Sequence, residues 1–181
     1  MGYALDAAGK FSEAPVPSAQ MSAGYGPRHL AFHPSKPYVY VLAELTSRVV
    51  GYHLDAKQGM GKQICDVSMI PSDFDQFTKA ADIHVTPDGS FLYASNRGHD
   101  SLAIFSIDQN NGMLTPVDIM TCGGSWPRAF AIDPSGKYIL VANKRSNQIS
   151  VNKIDYSSGR FNQVNQIETG NAPQCIRFLK T

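Results

Sequence analysis

The 181 residues predict an all-β chain built from repeated units of four antiparallel strands. Two observations carry that expectation. Segments 27–55, 80–108 and 127–155, each of 29 residues, align without a gap, and a fourth copy opens at Pro173. Within each copy the apolar residues alternate with a period of two, the pattern of a strand with one buried face, and no segment carries a long helical period.

Taken in order, each copy resolves into strands and turns. The first strand is expected over Arg28–His33, with counterparts over Ala81–Thr86 and Arg128–Asp133. Leu30 with Phe32, Ile83 with Val85, and Phe130 with Ile132 then share a face. A turn follows at Pro34-Ser35-Lys36, Pro87-Asp88-Gly89 and Pro134-Ser135-Gly136, where proline presets φ and glycine accepts a positive one. The second strand is rich in Tyr, Val, Ile and Leu (Tyr38–Ala43, Phe91–Ser95, Tyr138–Ala142), and the third runs Val49–Leu54, Leu102–Ile107 and Ile149–Ile154. After a polar turn ending in Gly61, Gly112 or Gly159 comes a weaker fourth strand. At the start of the chain, Tyr3-Ala4-Leu5-Asp6 matches Tyr52-His53-Leu54-Asp55, the close of a third strand.

Four antiparallel strands per repeat of about 40–50 residues is the signature of a β-propeller blade. The blades are expected near 27–72, 80–122 and 127–170, with partial blades at both ends, in a single partial domain over 1–181. No Gly-His opens a repeat and no Trp-Asp closes one, so the WD-type class is excluded. Successive copies start 53, 47 and 46 residues apart, so the chain holds fewer than four blades. Closed rings take about 4–8. The expectation is part of a larger propeller whose cut strand edges recruit a partner, either a second copy of the chain or the missing N-terminal half.

Composition narrows the function classes. Lys plus Arg is 16 and Asp plus Glu is 15, a formal charge of +1, which argues against nucleic-acid binding and against a polybasic membrane surface. No apolar run approaches the ~18 residues of a spanning helix. The N-terminal segment carries Asp6 and lacks the basic and apolar regions of a signal peptide. Three scattered cysteines, Cys65, Cys122 and Cys175, suit a reduced, cytoplasmic protein. No His/Asp/Glu cluster has metal spacing, and Gly123-Gly124 precedes no helix that would cradle a phosphate, so neither metal nor cofactor is expected.

Topology points to one rim. In an up-and-down blade the first strand starts where the second ends, so Arg28, His29, Asp82 and Arg128 gather with Glu44, Arg97 and Lys144, the first four nearest the central channel. The three copies place Glu44, Arg97 and Lys144 at one position and Arg28, Ala81 and Arg128 at another. Their neighbours keep their type while these change charge, so blade architecture does not dictate them. The planar fork of arginine suits a carboxylate or phosphate, and an anionic small substrate is the natural ligand. Structural readings stand beside this one. Arg28 with Glu44 also reads as a rim salt bridge. His84, two residues beyond Asp82 on the same face, reads as a satisfied core histidine as well as a substrate contact. His33 and His53 read as solvated, Asp88 and Asp133 as turn residues, and Trp126 as loop packing rather than a stacking surface.

Taken together, GPRHLAFHP, AELTSRVVGYHLD, AADIHVTPDGSFLYASNRGHDSLAIFSID and PRAFAIDPSGKYILVANK resemble the lactonase family of seven-bladed propellers. That family includes the propeller type of 6-phosphogluconolactonase and carboxy-cis,cis-muconate cyclase. The resemblance runs from about Tyr3 to Leu179 and implies about three and a half blades of a seven-bladed ring, its C-terminal half. It implies a catalytic set of Arg28, Glu44 and Arg97; the shared rim adds His29 as a further catalytic candidate and Arg128, Asp82, His84 and Lys144 as substrate contacts. A further histidine of the cyclase branch would lie upstream, so the isolated chain is expected to be inactive. The implied reaction is hydrolysis of an anionic sugar lactone, most simply 6-phosphogluconolactone. A muconate-type cycloisomerase and a noncatalytic propeller that binds protein partners are the alternatives.

Overall fold

The computed structural model describes residues 3–13, 21–55 and 59–179. Among them there is no helix, and so none long and apolar enough to cross a membrane. Strands β1 (Tyr3–Leu5) and β2 (Phe11–Glu13) form an antiparallel hairpin. Three four-stranded meanders follow. The first blade is β3 (Pro27–Phe32), β4 (Tyr38–Ala43), β5 (Arg48–Asp55) and β6 (Gly59–Ser68). The second is β7 (Lys79–Val85), β8 (Phe91–Arg97), β9 (Ser101–Ile107) and β10 (Leu114–Thr121). The third is β11 (Pro127–Ile132), β12 (Tyr138–Asn143), β13 (Gln148–Ile154) and β14 (Phe161–Glu168). Each sheet keeps chain order, as an up-and-down blade must, and the first strands β3, β7 and β11 lie side by side.

The strand ends follow local chemistry. The first strands stop one residue short of the expected His33, Thr86 and Asp133, because those side chains cap the turn instead. His33 Nδ1 accepts the N–H groups of Ser35 and Lys36, Thr86 Oγ1 accepts that of Phe91, and Asp133 accepts those of Ser135 and Tyr138. His33 is therefore buried rather than solvated, whereas His53 is exposed. The hairpins between second and third strands repeat one device. Ser47, Asp100 and Asn147 take φ of 48°, 52° and 54°, and each carbonyl receives the N–H that ends the fourth strand, from Met69, Cys122 and Thr169. The fourth strands are full-length rather than weak. They form the outer edge, and in β14 seven of eight residues are exposed, so little apolar pattern marks them in sequence. Residues 173–179 form no strand. In the complete copies this segment is held by the second strand of its own blade, and no described segment supplies one here.

The core lies between blades. Tyr40, Leu42 and Val49 of the first blade pack on Ile83, Leu92 and Phe105 of the second. Tyr93, Leu102 and Ile104 on the other face of the second pack on Phe130, Ile139 and Val141 of the third. Strand β8 is consequently buried along its whole length. A repeated polar tie fixes the spacing: the Tyr40 hydroxyl donates to Gly112 O at 2.9 Å and the Tyr93 hydroxyl to Gly159 O at 2.7 Å. Gly112 and Gly159 turn at φ 73° and 74°, and a Cβ there would stand 2.6 Å from the Tyr38 ring and 2.5 Å from the Phe91 ring. Each glycine thus meets both the φ requirement and the close approach of the preceding blade. Tyr93→Phe is expected to cost about 1 kcal/mol in urea unfolding, the net value of one buried hydrogen bond. An unchanged midpoint would show that the tie contributes no stability.

Candidate functional site at the inner strands

Each inner strand carries an irregularity at its first residues. Pairing of β3 with β4 skips Arg28, pairing of β11 with β12 skips Arg128, and pairing of β7 with β8 skips Ala81 and Asp82. A bulge re-aims the side chain of the extra residue; here the irregularity falls at the second position of the first and third copies, Arg28 and Arg128, and spans the second and third positions of the middle copy, Ala81 and Asp82.

Two side chains then tie inner strand to inner strand. Arg28 Nε donates to Ala81 O at 2.9 Å, linking β3 to β7. Asp82 Oδ2 accepts the Phe130 N–H at 3.1 Å, linking β7 to β11, while its Oδ1 accepts the Ile83 N–H at 3.0 Å. The strands frame a groove of about 540 Å³ lined by Arg28, His29, Asp82, His84 and Arg128, with Gln174 and Arg177 from the segment after the third blade. Leu30 and Phe32 form its apolar flank.

Glu44 and Arg97 stand at the rim behind Arg28. Arg97 Nη2 donates to Glu44 Oε1 at 2.6 Å and to Ala80 O at 2.7 Å, and Arg28 Nη1 lies 3.7 Å from Glu44 Oε2. Arg28, Glu44 and Arg97 therefore converge as one triad. Arg97 is only 5% exposed, not an open rim residue. Strand β8 continues to its position, and the Trp126 ring covers it with the guanidinium 5.8 Å from the ring centroid. Trp126 is itself packed, with Arg145 at 3.4 Å from the ring centroid and Phe77 stacked on it, so its role is rim packing. Lys144 shares the repeat position of Glu44 and Arg97 but does not line the groove; its backbone N–H donates to Trp126 O.

Electrostatics separate the two carboxylates from the His29 imidazole. Burial pushes the Glu44 carboxyl up, but the hydrogen bond and charge of Arg97, with Arg28 and Lys79, outweigh it and hold the carboxyl below its ordinary range. Burial likewise works against the Asp82 carboxylate, and His84 with the N–H groups of Phe130 and Ile83 wins, again lowering the pKa. His29 goes the other way for an imidazole: burial pushes it down more than Asp82 pulls it up, and Arg28 and Arg128 add to the fall, so its ring is neutral at pH 7. A carboxyl with a depressed folded pKa contributes stability that is present above its unfolded pKa of about 4 and lost as pH falls through the folded value. Stability is therefore expected to fall below about pH 4, and Asp82→Asn to flatten that acid limb. Urea midpoints measured from neutral to acid pH check this, and an unaltered limb in the variant would refute it.

A model of the family described as lactonase, 7-bladed beta-propeller, matches residues 1–178. The chain belongs to that family. Among curated lactonase relatives, a 6-phosphogluconolactonase of Bacillus subtilis is 43% identical over 118 residues, covering 65% of this chain and 34% of that protein. A 6-phosphogluconolactonase of Formosa agariphila is 41% identical over 133 residues, 72% of this chain and 37% of the other. The solved structure of a protein from Lactobacillus plantarum superposes with a TM-score of 0.92 at 34% identity, over 98% of this chain and 51% of that one. The periplasmic gluconolactonase of Pseudomonas aeruginosa superposes with a TM-score of 0.84 at 31% identity, over 90% of this chain and 45% of that one. This lactonase chain thus spans about half the length of the solved relatives it matches.

Of two unusual groove residues of the lactonase chain, the sequence names His84 as a substrate contact and passes over Arg177. At the fifth position of the four copies stand Ala31, His84, Ala131 and Arg177. The alanines are buried at 9% and 7% between blades, the small residue the architecture favours there. A histidine and an arginine at that position are departures, and both line the groove. His84 is not a satisfied core residue: its side chain is 34% exposed and its Nε2 stands 3.3 Å from Asp82 Oδ2.

Proposed function

We propose that this chain supplies the inner-strand groove of an enzyme that hydrolyses a sugar lactone, 6-phosphogluconolactone to 6-phosphogluconate. The observation that carries the reading is the meeting of Arg28, His29, Asp82, His84 and Arg128 on one groove in a lactonase-family chain. Ring opening needs a water, a base for its proton and a stabilised oxyanion. Arg28, pinned through Nε to Ala81 O, has guanidinium N–H groups to offer a carbonyl oxygen as charge develops on it. Glu44, ionised and clamped between two arginines, is a poor base; it orients Arg28. The groove also presents two imidazoles, His29 and His84, a side-chain type suited to general-base work. Arg128, without an ion-pair partner among the described residues, suits the phosphate as a planar fork.

Three unpaired thiols support a reducing, cytoplasmic setting. The partner that completes the ring is a second copy of the chain or a further N-terminal segment. The test is lactone hydrolysis by the intact protein, comparing 6-phosphogluconolactone with unphosphorylated gluconolactone. Preference for the phosphorylated substrate, reduced about tenfold or more in Arg128→Ala, is expected. No hydrolysis of either overturns the reading, and equal use of both overturns the phosphate assignment.

A further inference from the structure

Asp82 is the one acid among the described residues that line the groove, and its carboxylate is held from two strands. It accepts backbone N–H groups from its own strand and from β11, its side chain is 15% exposed, and its Oδ2 lies 3.3 Å from His84 Nε2. That nitrogen is buried and reaches no hydrogen-bond acceptor of good geometry, so the carboxylate is the group it faces. Among the described residues Nδ1 has no hydrogen-bond partner, and the ring borders the groove. Phe130 packs edge-on against the imidazole, with centroids 4.7 Å apart at 80°, which limits its rotation. The charged and titratable groups around the pair are Arg28 and His29 from β3, Arg128 from β11 and Arg177 from the segment after the third blade. Blade architecture favours alanine where His84 stands. An imidazole fixed by a buried carboxylate on one nitrogen and free on the other is the arrangement that keeps a histidine in a single tautomer for proton transfer.

We propose that His84, positioned by Asp82, is the general base of lactone hydrolysis, with its proton on Nε2 and the lone pair of Nδ1 facing the groove. The assignment rests on the lactone reading above. A water oxygen attacks the lactone carbonyl carbon, and one water proton passes to His84 Nδ1. The carbonyl π electrons move onto its oxygen beside Arg28. Collapse of the tetrahedral intermediate re-forms the carbonyl and breaks the bond from that carbon to the ring oxygen. The imidazolium returns its proton to the ring oxygen, which leaves as a hydroxyl, and the product acid ionises to water. No oxidant or second substrate is needed.

Two measurements test this. Nitrogen-15 NMR of the chain reports the tautomer of neutral His84 without any substrate: the Nε2–H form is expected, shifting toward a mixture in Asp82→Asn. In the intact protein, His84→Gln is expected to lower kcat on 6-phosphogluconolactone by about 10²-fold or more, the typical contribution of a general base, with KM changed only a few-fold. Asp82→Asn is expected to lower kcat in the same sense, and it carries the kinetic test if His84→Gln does not fold. An Nδ1–H tautomer in the wild type, or kcat retained in these variants while His29→Gln abolishes it, overturns the proposal and leaves the lactone reading standing. A wild-type protein that hydrolyses no lactone overturns that reading, and the base assignment falls with it.

Discussion

Replacing Arg97 by alanine is expected to damage both folding and activity. The sequence suggests an open rim residue, and such residues contribute within about 0.5 kcal/mol to stability. The structure makes Arg97 a buried strut. Its Nη2 spans Glu44 Oε1 and Ala80 O, and only 5% of the residue reaches solvent. Removing one partner of a buried ion pair costs about 3–5 kcal/mol, because the other charge stays behind unpaired. Glu44, with 23% of its side chain exposed, can recover some hydration, so the lower end, about 3 kcal/mol, is expected. Glu44 also loses the group that holds it against Arg28, so kcat is expected to fall about 10²-fold, the scale of losing one oxyanion donor. Urea unfolding and steady-state lactone kinetics on the same variant separate the effects. Activity lost with stability unchanged would return Arg97 to an open substrate contact. Stability lost with full activity would make it purely structural.

The isolated 181-residue chain is expected to associate at micromolar concentration and to hydrolyse lactone at least about 10²-fold more slowly than the intact protein, because a general base and its positioned substrate act only in a complete pocket. The second blade is covered on both faces. The first is covered only in part on its outward face, where Val39, Val41, Val50 and Tyr52 pack with Met21, Tyr25 and Leu54. The outward face of the first blade leaves Leu30 47% and Phe32 58% exposed, although Ile83 and Phe130 hold the position of Leu30 and are buried at 2% and 1%. On the third blade Val164 is 54% and Ile167 46% exposed, and no described strand pairs with the segment 173–179. Open apolar faces and strand edges recruit partners. Sedimentation of the purified chain and its lactone hydrolysis rate check both halves of the expectation. A stable monomer that turns over lactone at the rate of the intact protein would show that the groove is complete as it stands.

Much of this molecule is legible before any coordinates. A gapless repeat and period-two alternation are local properties, and a blade is held largely by pairing between strands adjacent in sequence. Strand order and the shared rim of Arg28, Glu44 and Arg97 therefore follow from the residues alone. Likewise, turn chemistry at Asp88 and Asp133 acts within a few residues of chain and is readable there. What the sequence left undecided depends on hydrogen-bond register and on groups brought together from different strands and blades. The bulges at Arg28, Asp82 and Arg128 change hydrogen-bond register without changing composition. The burial of Arg97 depends on Trp126, and that of Ile83 on the neighbouring blade. The pairing of Asp82 with His84 is a two-residue spacing that any strand can carry; it becomes a site when the Phe130 N–H and ring close on it from the next blade. Local pairing set the blades, and packing between blades decided which of their charged side chains face the groove, because burial and electrostatic environment belong to the neighbours a side chain meets and not to its position in the chain.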